Sequence, residues 1–223
     1  NNIVGTHNMM HSAYVNNVKK FVFASSASVY GDNDDDIKVV GNDGNVLSPY
    51  ALSKKVDEEL GKLYYHLYGL NTIGLRYFNV FGRKQNPYSE YSAVIPKFIK
   101  AILENKEIII NGNGEQSRDF TYIDNVIDAN LKACFSPDSA NGKVFNVACG
   151  ENTSVNQLYK ILSKILKRET NVKYGPERKG DIKNSLADIS ETKLQLGYKP
   201  QYKIEEGLEK TVDWYVKHLN LNV

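Results

Sequence analysis

The chain reads as an α/β fold, a parallel sheet with helices packed on it, joined to a smaller α/β unit. Two observations carry this reading. Short runs rich in aromatic or β-branched residues, Phe21-Val22-Phe23-Ala24 and Thr72 to Val80, each border a long stretch of helical periodicity, so strand-to-helix units lie side by side as a parallel sheet requires. After Gly82 the chain turns polar and turn-forming through Arg83-Lys84-Gln85-Asn86-Pro87, and a new helix and short strand follow.

Residues 1–17 are expected to be a helix with Ile3, Met10, Ala13 and Tyr14 on its apolar stripe. A buried strand over 21–25 then ends in the hydroxyl-rich Ser25-Ser26-Ala27-Ser28-Val29-Tyr30-Gly31. Asp32 to Val46, rich in Asp, Asn and Gly, is an exposed loop, and its Asp34-Asp35-Asp36 run reads as solvated carboxylates rather than a metal site. Pro49 opens a helix over 50–68, with Leu52, Val56, Leu60, Leu63 and Leu67 in its pattern and Gly69 at its end. A strand over 72–80 follows, then a helix over 93–103 broken into by Pro96, and a strand over 107–110. Asp124 is expected to cap a helix running through Phe135, and a strand over 144–148 returns to the main sheet. Helices over 154–167 and 204–218 complete the chain, the last carrying Leu208, Val212, Trp214 and Tyr215.

At 223 residues with 41% hydrophobic and 24% charged content, the chain has material for a sizeable core. Its net charge of +2, with both signs scattered, gives no basic stripe and argues against a nucleic-acid partner. Cys134 and Cys149 lack metal-ligand spacing. His7 and His11, four apart on the first helix, have no third ligand, so no metal is expected. No apolar run reaches the ~18 residues of a membrane span and no signal sequence is present, which points to the cytoplasm.

The chemistry centres on Tyr50 and Lys54. Four residues apart on a helix, they share a face. A free phenol titrates near ~10 and is a poor base at neutral pH; a neighbouring ammonium favours the phenolate. Hydroxyls at the preceding strand tip, Ser26 among them, would hydrogen-bond a substrate oxygen and relay its proton. A mere surface pair on a helix would have the same spacing.

Ser25–Gly31, Ser48-Pro49-Tyr50-Ala51-Leu52-Ser53-Lys54, Leu75-Arg76-Tyr77-Phe78-Asn79-Val80-Phe81-Gly82 and Ser117-Arg118-Asp119-Phe120-Thr121-Tyr122-Ile123-Asp124 occur in this order. Together they resemble the extended short-chain dehydrogenase/reductase family, specifically its NAD-dependent nucleotide-sugar epimerases, from residue 1 to about 218. The resemblance implies a Rossmann-like parallel sheet, with residues 1–82 and 119–148 forming part of an NAD-binding domain and 83–118 with 149–223 a UDP-sugar-binding domain. No Gly-x-Gly-x-x-Gly or Gly-x-x-Gly-x-x-Gly is present. The family carries that fingerprint near its N-terminus, so the chain is expected to be the C-terminal two-thirds of a longer enzyme, inactive and a weak NAD binder on its own.

By the same resemblance Ser26, Tyr50 and Lys54 are catalytic, and Asn1, Ser25, Tyr50, Lys54 and Tyr77 meet the cofactor. Asn79, Arg118 and Arg178 hold the diphosphate, the arginines in a fork geometry suited to two phosphate oxygens. Ser28, Gln85, Ala93, Val94, Phe98 and Asp181 complete the substrate site, although Val94 and Phe98 would serve equally as core. Ser185 stands where the family places a wall of the sugar pocket; a tyrosine there restricts the site to hexoses, and a serine leaves room for a 2-acetamido group. The implied reaction is 4-epimerisation of a UDP-hexose or UDP-N-acetylhexosamine, in a homodimer built through helices 1–17 and 50–68. A 4,6-dehydratase or decarboxylase fits less well, because Ala27 and Ser28 stand where the dehydratases carry an acidic pair. A non-catalytic nucleotide-sugar-binding protein is the remaining alternative.

Overall fold

The computed structural model describes residues 1–88, 93–177 and 183–218. Its centre is a parallel sheet of three strands, β1 (Phe21–Ser26), β3 (Thr72–Tyr77) and β8 (Lys143–Val147), in the order β1-β3-β8. Helices α1 (Asn2–Val15) and α2 (Pro49–Tyr68) cover one face and α4 (Ile123–Cys134) the other. Strand alternation sorts the side chains. Phe23 of β1 faces the α1–α2 layer with Met10 and Tyr64, while Ile73, Leu75 and Phe145 face Val126, Ala129 and Ala133 of α4.

Helix α2 lies close on the sheet because two glycines let it. A Cβ on Gly61 of α2 or on Gly74 of β3 would come within 2.8 Å of the Phe23 ring, so the ring fills the space both side chains leave vacant. The ends of α2 are fixed locally. Ser48 Oγ accepts from the Ala51 N–H at 3.1 Å, Pro49 occupies the first turn, and Gly69 closes the helix at φ 68°.

The second core forms around α3 (Val94–Leu103), α5 (Val155–Leu166) and α7 (Ile204–His218), with β5 (Ile108–Asn111) alongside. Ile95, Phe98, Ile99 and Ile102 recur at helical spacing and are buried against Leu158, Leu162, Leu208 and Val212. Each such side chain contributes about 1.5–3 kcal/mol by leaving water. A capping box joins Ser154 and Gln157 at the start of α5. Short strands pair around these cores: β2 (Ile37–Lys38) with β11 (Leu186–Ala187), β4 (Val80–Phe81) with β7 (Thr121–Tyr122), β6 (Ser117–Arg118) with β9 (Thr153–Ser154), and β10 (Val172–Gly175) with β5. Within the segment expected to belong to the second unit, α6 (Ser190–Leu196) packs on the first core, with Leu196 and Tyr198 beside Phe145 and Ala148.

Four details differ from the sequence expectation. The strand expected over 72–80 ends at Tyr77, because Asn79 adopts φ 35° and re-aims the chain into β4. Pro96 does not break α3; it sits in the first turn, where its missing N–H has no helical partner to lose. Asp124 is inside the first turn of α4, whose N-cap is Tyr122. Within the 32–46 loop, Lys38 is buried, its ammonium ringed by the Asn33 and Asp35 carbonyls and the Asn33 side chain at 2.6–3.0 Å.

Candidate active site

Helix α2 runs back along β1 in the opposite sense. Gly61 meets Phe23, the Glu58 carboxylate accepts from Ser25 Oγ at 2.5 Å, and Lys54 Nζ donates to the Ala24 carbonyl at 2.9 Å. Its first turn, with Tyr50, therefore projects past the carboxyl end of β1, where Ser26 stands. Tyr50 is 51% exposed and Lys54 mostly covered. Ser26 caps the short 3-10 turn at 27–30, its Oγ accepting from the Ser28 N–H at 3.2 Å and the Ser28 hydroxyl at 3.0 Å. Ser26, Ser28, Tyr50 and Lys54 thus gather at one end of the parallel sheet, the edge where such sheets bind ligands.

Beneath them lies a charged cluster that the sequence reading passed over. Arg76 of β3 pairs in register with Ser25 and is 2% exposed. Its guanidinium grips the Glu58 carboxylate through two bonds of 2.7 and 2.8 Å, and Asp43 through two more of 2.6 and 3.0 Å. It also stacks 4.6 Å from the Tyr30 ring centre. Lys55 closes the group on Asp43. Burial opposes the Arg76 charge, but the bonds from Glu58 and Asp43 overturn that penalty and leave its pKa above the ordinary value. Tyr30, whose pKa burial pushes up, donates to Asn146 Oδ1 at 2.7 Å. An arginine inside an otherwise apolar strand is the feature that marks this cluster in the sequence, since a buried cation demands partners.

Beyond β3 a cleft of ≈ 350 Å³ opens, lined among others by Asn79, Ala93, Val94, Phe98, Gln116 and Arg118. Asn79 follows by two residues Tyr77, the register partner of Ser26, so cleft and strand tip share one end of the sheet. Asn79 Nδ2 donates to the Asp119 carbonyl at 3.2 Å, and Arg118 Nη1 to the Ser117 carbonyl at 2.8 Å. Ser185 is buried beside this edge, its carbonyl accepting from the Asp119 N–H at 2.9 Å. Asp119 is itself fully buried. Its carboxylate accepts from the N–H groups of Cys149 and Gly150, both at 2.8 Å, and of Ala187 at 3.4 Å. Burial nevertheless pushes its pKa up to about 6.

Among the described residues, the remaining expected ones do not line the cleft. Ser25 and Tyr77 turn their hydroxyls into the protein, toward Glu58 and toward Asn130 Oδ1 at 2.9 Å respectively. Asn1 is exposed at the start of α1 with no side-chain capping bond, whereas Asn2 reaches Ser53 of α2 at 3.0 Å. Gln85 is outside the cleft lining; its carbonyl accepts from the Tyr215 hydroxyl, and its buried Oε1 has no hydrogen-bond partner among the described residues. Arg178 and Asp181 lie outside the described residues.

Among solved structures the chain superposes on UDP-N-acetylglucosamine 4-epimerase from Methanobrevibacter ruminantium M1, in complex with UDP-N-acetylmuramic acid, with a TM-score of 0.92 and 43% identity, covering 97% of this chain and 69% of that one. UDP-glucose 4-epimerase from Thermotoga maritima, with UDP-glucose, gives 0.91 at 36% identity, covering 98% and 70%. UDP-glucuronate 4-epimerase of Thermodesulfobacterium geofontis is 38% identical over 225 residues, which take in 99% of this chain and 66% of that protein. The chain thus spans about two thirds of the length of the relatives it matches. The model of the NAD dependent epimerase/dehydratase family matches residues 1–148, and the chain belongs to that family.

Proposed function

We propose that this chain carries the catalytic and sugar-binding portion of a UDP-sugar 4-epimerase acting on UDP-N-acetylglucosamine and UDP-N-acetylgalactosamine, with UDP-glucose and UDP-galactose as further substrates. The observation that supports this most is the anchoring of Lys54 on the Ala24 carbonyl, which sets the Tyr50 turn of α2 at the Ser26 end of β1. Tyr50 takes the proton from the C4 hydroxyl while Ser26 hydrogen-bonds that oxygen, and Tyr50 returns the proton after the 4-keto sugar has turned over. Lys54 places a positive charge one helical turn from Tyr50 and holds the cofactor ribose. Arg118 and Arg178 grip the diphosphate throughout, which lets the sugar rotate without leaving. Ser185 presents little bulk to a 2-acetamido group.

When bound, NAD would supply reversible hydride acceptance at C4 and would be regenerated in each turnover. Tyr50, Lys54 and Ser26 suit its nicotinamide-ribose end. These 223 residues contain no glycine fingerprint to cradle its pyrophosphate. The chain alone is therefore expected to bind NAD weakly and to be inactive. Low-micromolar or tighter binding in a calorimetric titration would overturn that expectation.

Incubation of the whole protein with UDP-N-acetylglucosamine and NAD, followed by separation of the sugars, is expected to yield the C4 epimer. Absence of that product, with UDP-glucose turned over instead, would overturn the substrate assignment. We further infer a homodimer, since Ile3, Val4, Met9, Tyr14, Leu63, Leu67 and Tyr68 of α1 and α2 are exposed apolar residues that a second copy would cover. Sedimentation giving a monomer at micromolar concentration would exclude it. No helix among the described residues is long and apolar enough to cross a membrane.

A further inference from the structure

The lysine that anchors the reactive turn has a carboxylate beside it for which the proposed reaction has no use. Asp57 follows Lys54 by three residues on α2, is 1% exposed, and sets its Oδ2 3.3 Å from Lys54 Nζ. Its other oxygen, Oδ1, is buried with no hydrogen-bond partner among the described residues. A buried carboxylate with half its accepting capacity unfilled holds its charge at a cost, and the adjacent ammonium offsets that cost.

The other charges around α2 are committed elsewhere. The helix packs against α1, β1, β3 and the 27–30 turn. Strand β1 carries no charged residue, and α1 offers His7, His11 and Tyr14, of which His7 meets the Tyr64 ring and Tyr14 the Tyr68 ring, toward the far end of α2. In the turn, Tyr30 donates to Asn146. On β3, Arg76 is held by Glu58 and Asp43, and Tyr77 donates to Asn130. Lys55 also pairs with Asp43. Among the described residues, Asp57 is the carboxylate set against Lys54.

We propose that Asp57 is a positioning residue that sets the charge felt by Tyr50: it holds the Lys54 ammonium against β1 and subtracts from the positive field that Lys54 sets one helical turn from the phenol. The proposal rests on the reading of Tyr50 as the residue that moves the proton. Seven residues, or two helical turns, separate Asp57 from Tyr50, about 10 Å along the axis. At that range a unit charge in a medium of effective dielectric near ~20 moves a titration by about one pH unit.

The test follows the ultraviolet absorbance of the phenolate in this chain, taken as the difference between each protein and the same protein carrying Tyr50→Phe, which isolates Tyr50 from the rest of the fifteen tyrosines. Asp57→Asn and Asp57→Ser, which remove the charge with different side chains, are each expected to move the difference titration down by about one pH unit. Asp57→Glu, which keeps the charge, is expected to leave it within a few tenths of a unit. A curve that stays in place in both neutral variants, or that moves as far in Asp57→Glu, overturns the proposal. Loss of folding in both neutral variants makes Asp57 a purely structural residue and overturns it too. The measurement needs neither cofactor nor turnover, so it can fail while the proton-transfer role of Tyr50 stands; that role falls separately if Tyr50→Phe keeps turnover.

Discussion

Successive turns of α2 handle polar groups in opposite ways. Tyr50 and Lys54, on the first turns, stand at the open end of the sheet, the phenol half-exposed and the ammonium tied to a backbone carbonyl. Glu58, one turn further on, is 1% exposed and bound to Ser25 and to Arg76, which in turn holds Asp43. The difference teaches a division of labour. Buried charges survive only when paired and hydrogen-bonded, and a cluster so satisfied fixes the helix on the sheet. Tyr50, proposed to exchange a proton with a ligand, stands half-exposed where the interior does not claim it. The contrast recurs across one peptide at the cleft, where Arg118 lines the opening and Asp119 is buried against backbone N–H groups.

If the two regions differ as described, substitutions in them separate activity from stability. The largest effect is expected from Tyr50→Phe in the whole protein, which should lower turnover by roughly 10²–10⁴-fold while leaving UDP-sugar binding by calorimetry and the urea midpoint of unfolding in place. Arg76→Met should do the reverse, leaving Glu58 a buried carboxylate without its cation and Asp43 with Lys55 as its one ion-pair partner among the described residues, at a cost of about 3–5 kcal/mol in urea unfolding. An unchanged midpoint in that variant would erase the contrast.

Asp119 sharpens the comparison through pH. Its folded pKa, about 6, lies above the ordinary carboxyl value, so the folded protein binds the proton more tightly than the unfolded chain does. Its contribution to stability is therefore complete below about pH 4 and is lost as pH rises through about 6. Thermal unfolding across that window should show a decline that Asp119→Asn removes. The smallest effect belongs to Ser48→Ala, which deletes the cap of α2 next to Tyr50 and should cost about 1 kcal/mol in urea unfolding.

Much of this was legible in the residues. The strands at 21 and 72, the helix opened by Pro49, and the three helices of the second core, α3, α5 and α7, follow from local periodicity and capping, which act within a few residues. Asn79, Ala93, Val94, Phe98 and Arg118 were grouped by motif resemblance and line one cleft. The Arg76 cluster stayed hidden because its members come from a loop, a helix and a strand, at positions 43, 58 and 76. Asn79 was read as part of a strand because nothing in the local pattern reveals a positive φ. Ser25 and Tyr77 were assigned to the cofactor from motif membership, while the pleat aims them at Glu58 and Asn130.

The sequence by itself determined the order of the central-sheet strands and the longer helices, the placement of hydroxyls at the end of β1, and the helical spacing of Tyr50 and Lys54, because hydrophobic period and helix geometry are properties of neighbours along the chain. Only the tertiary structure decided that α2 runs back along β1, that Lys54 is shared between Ala24 and Asp57, and that Arg76 draws Asp43 and Glu58 into the interior. These depend on which polar groups find partners once water is excluded, and such partners are distant in sequence.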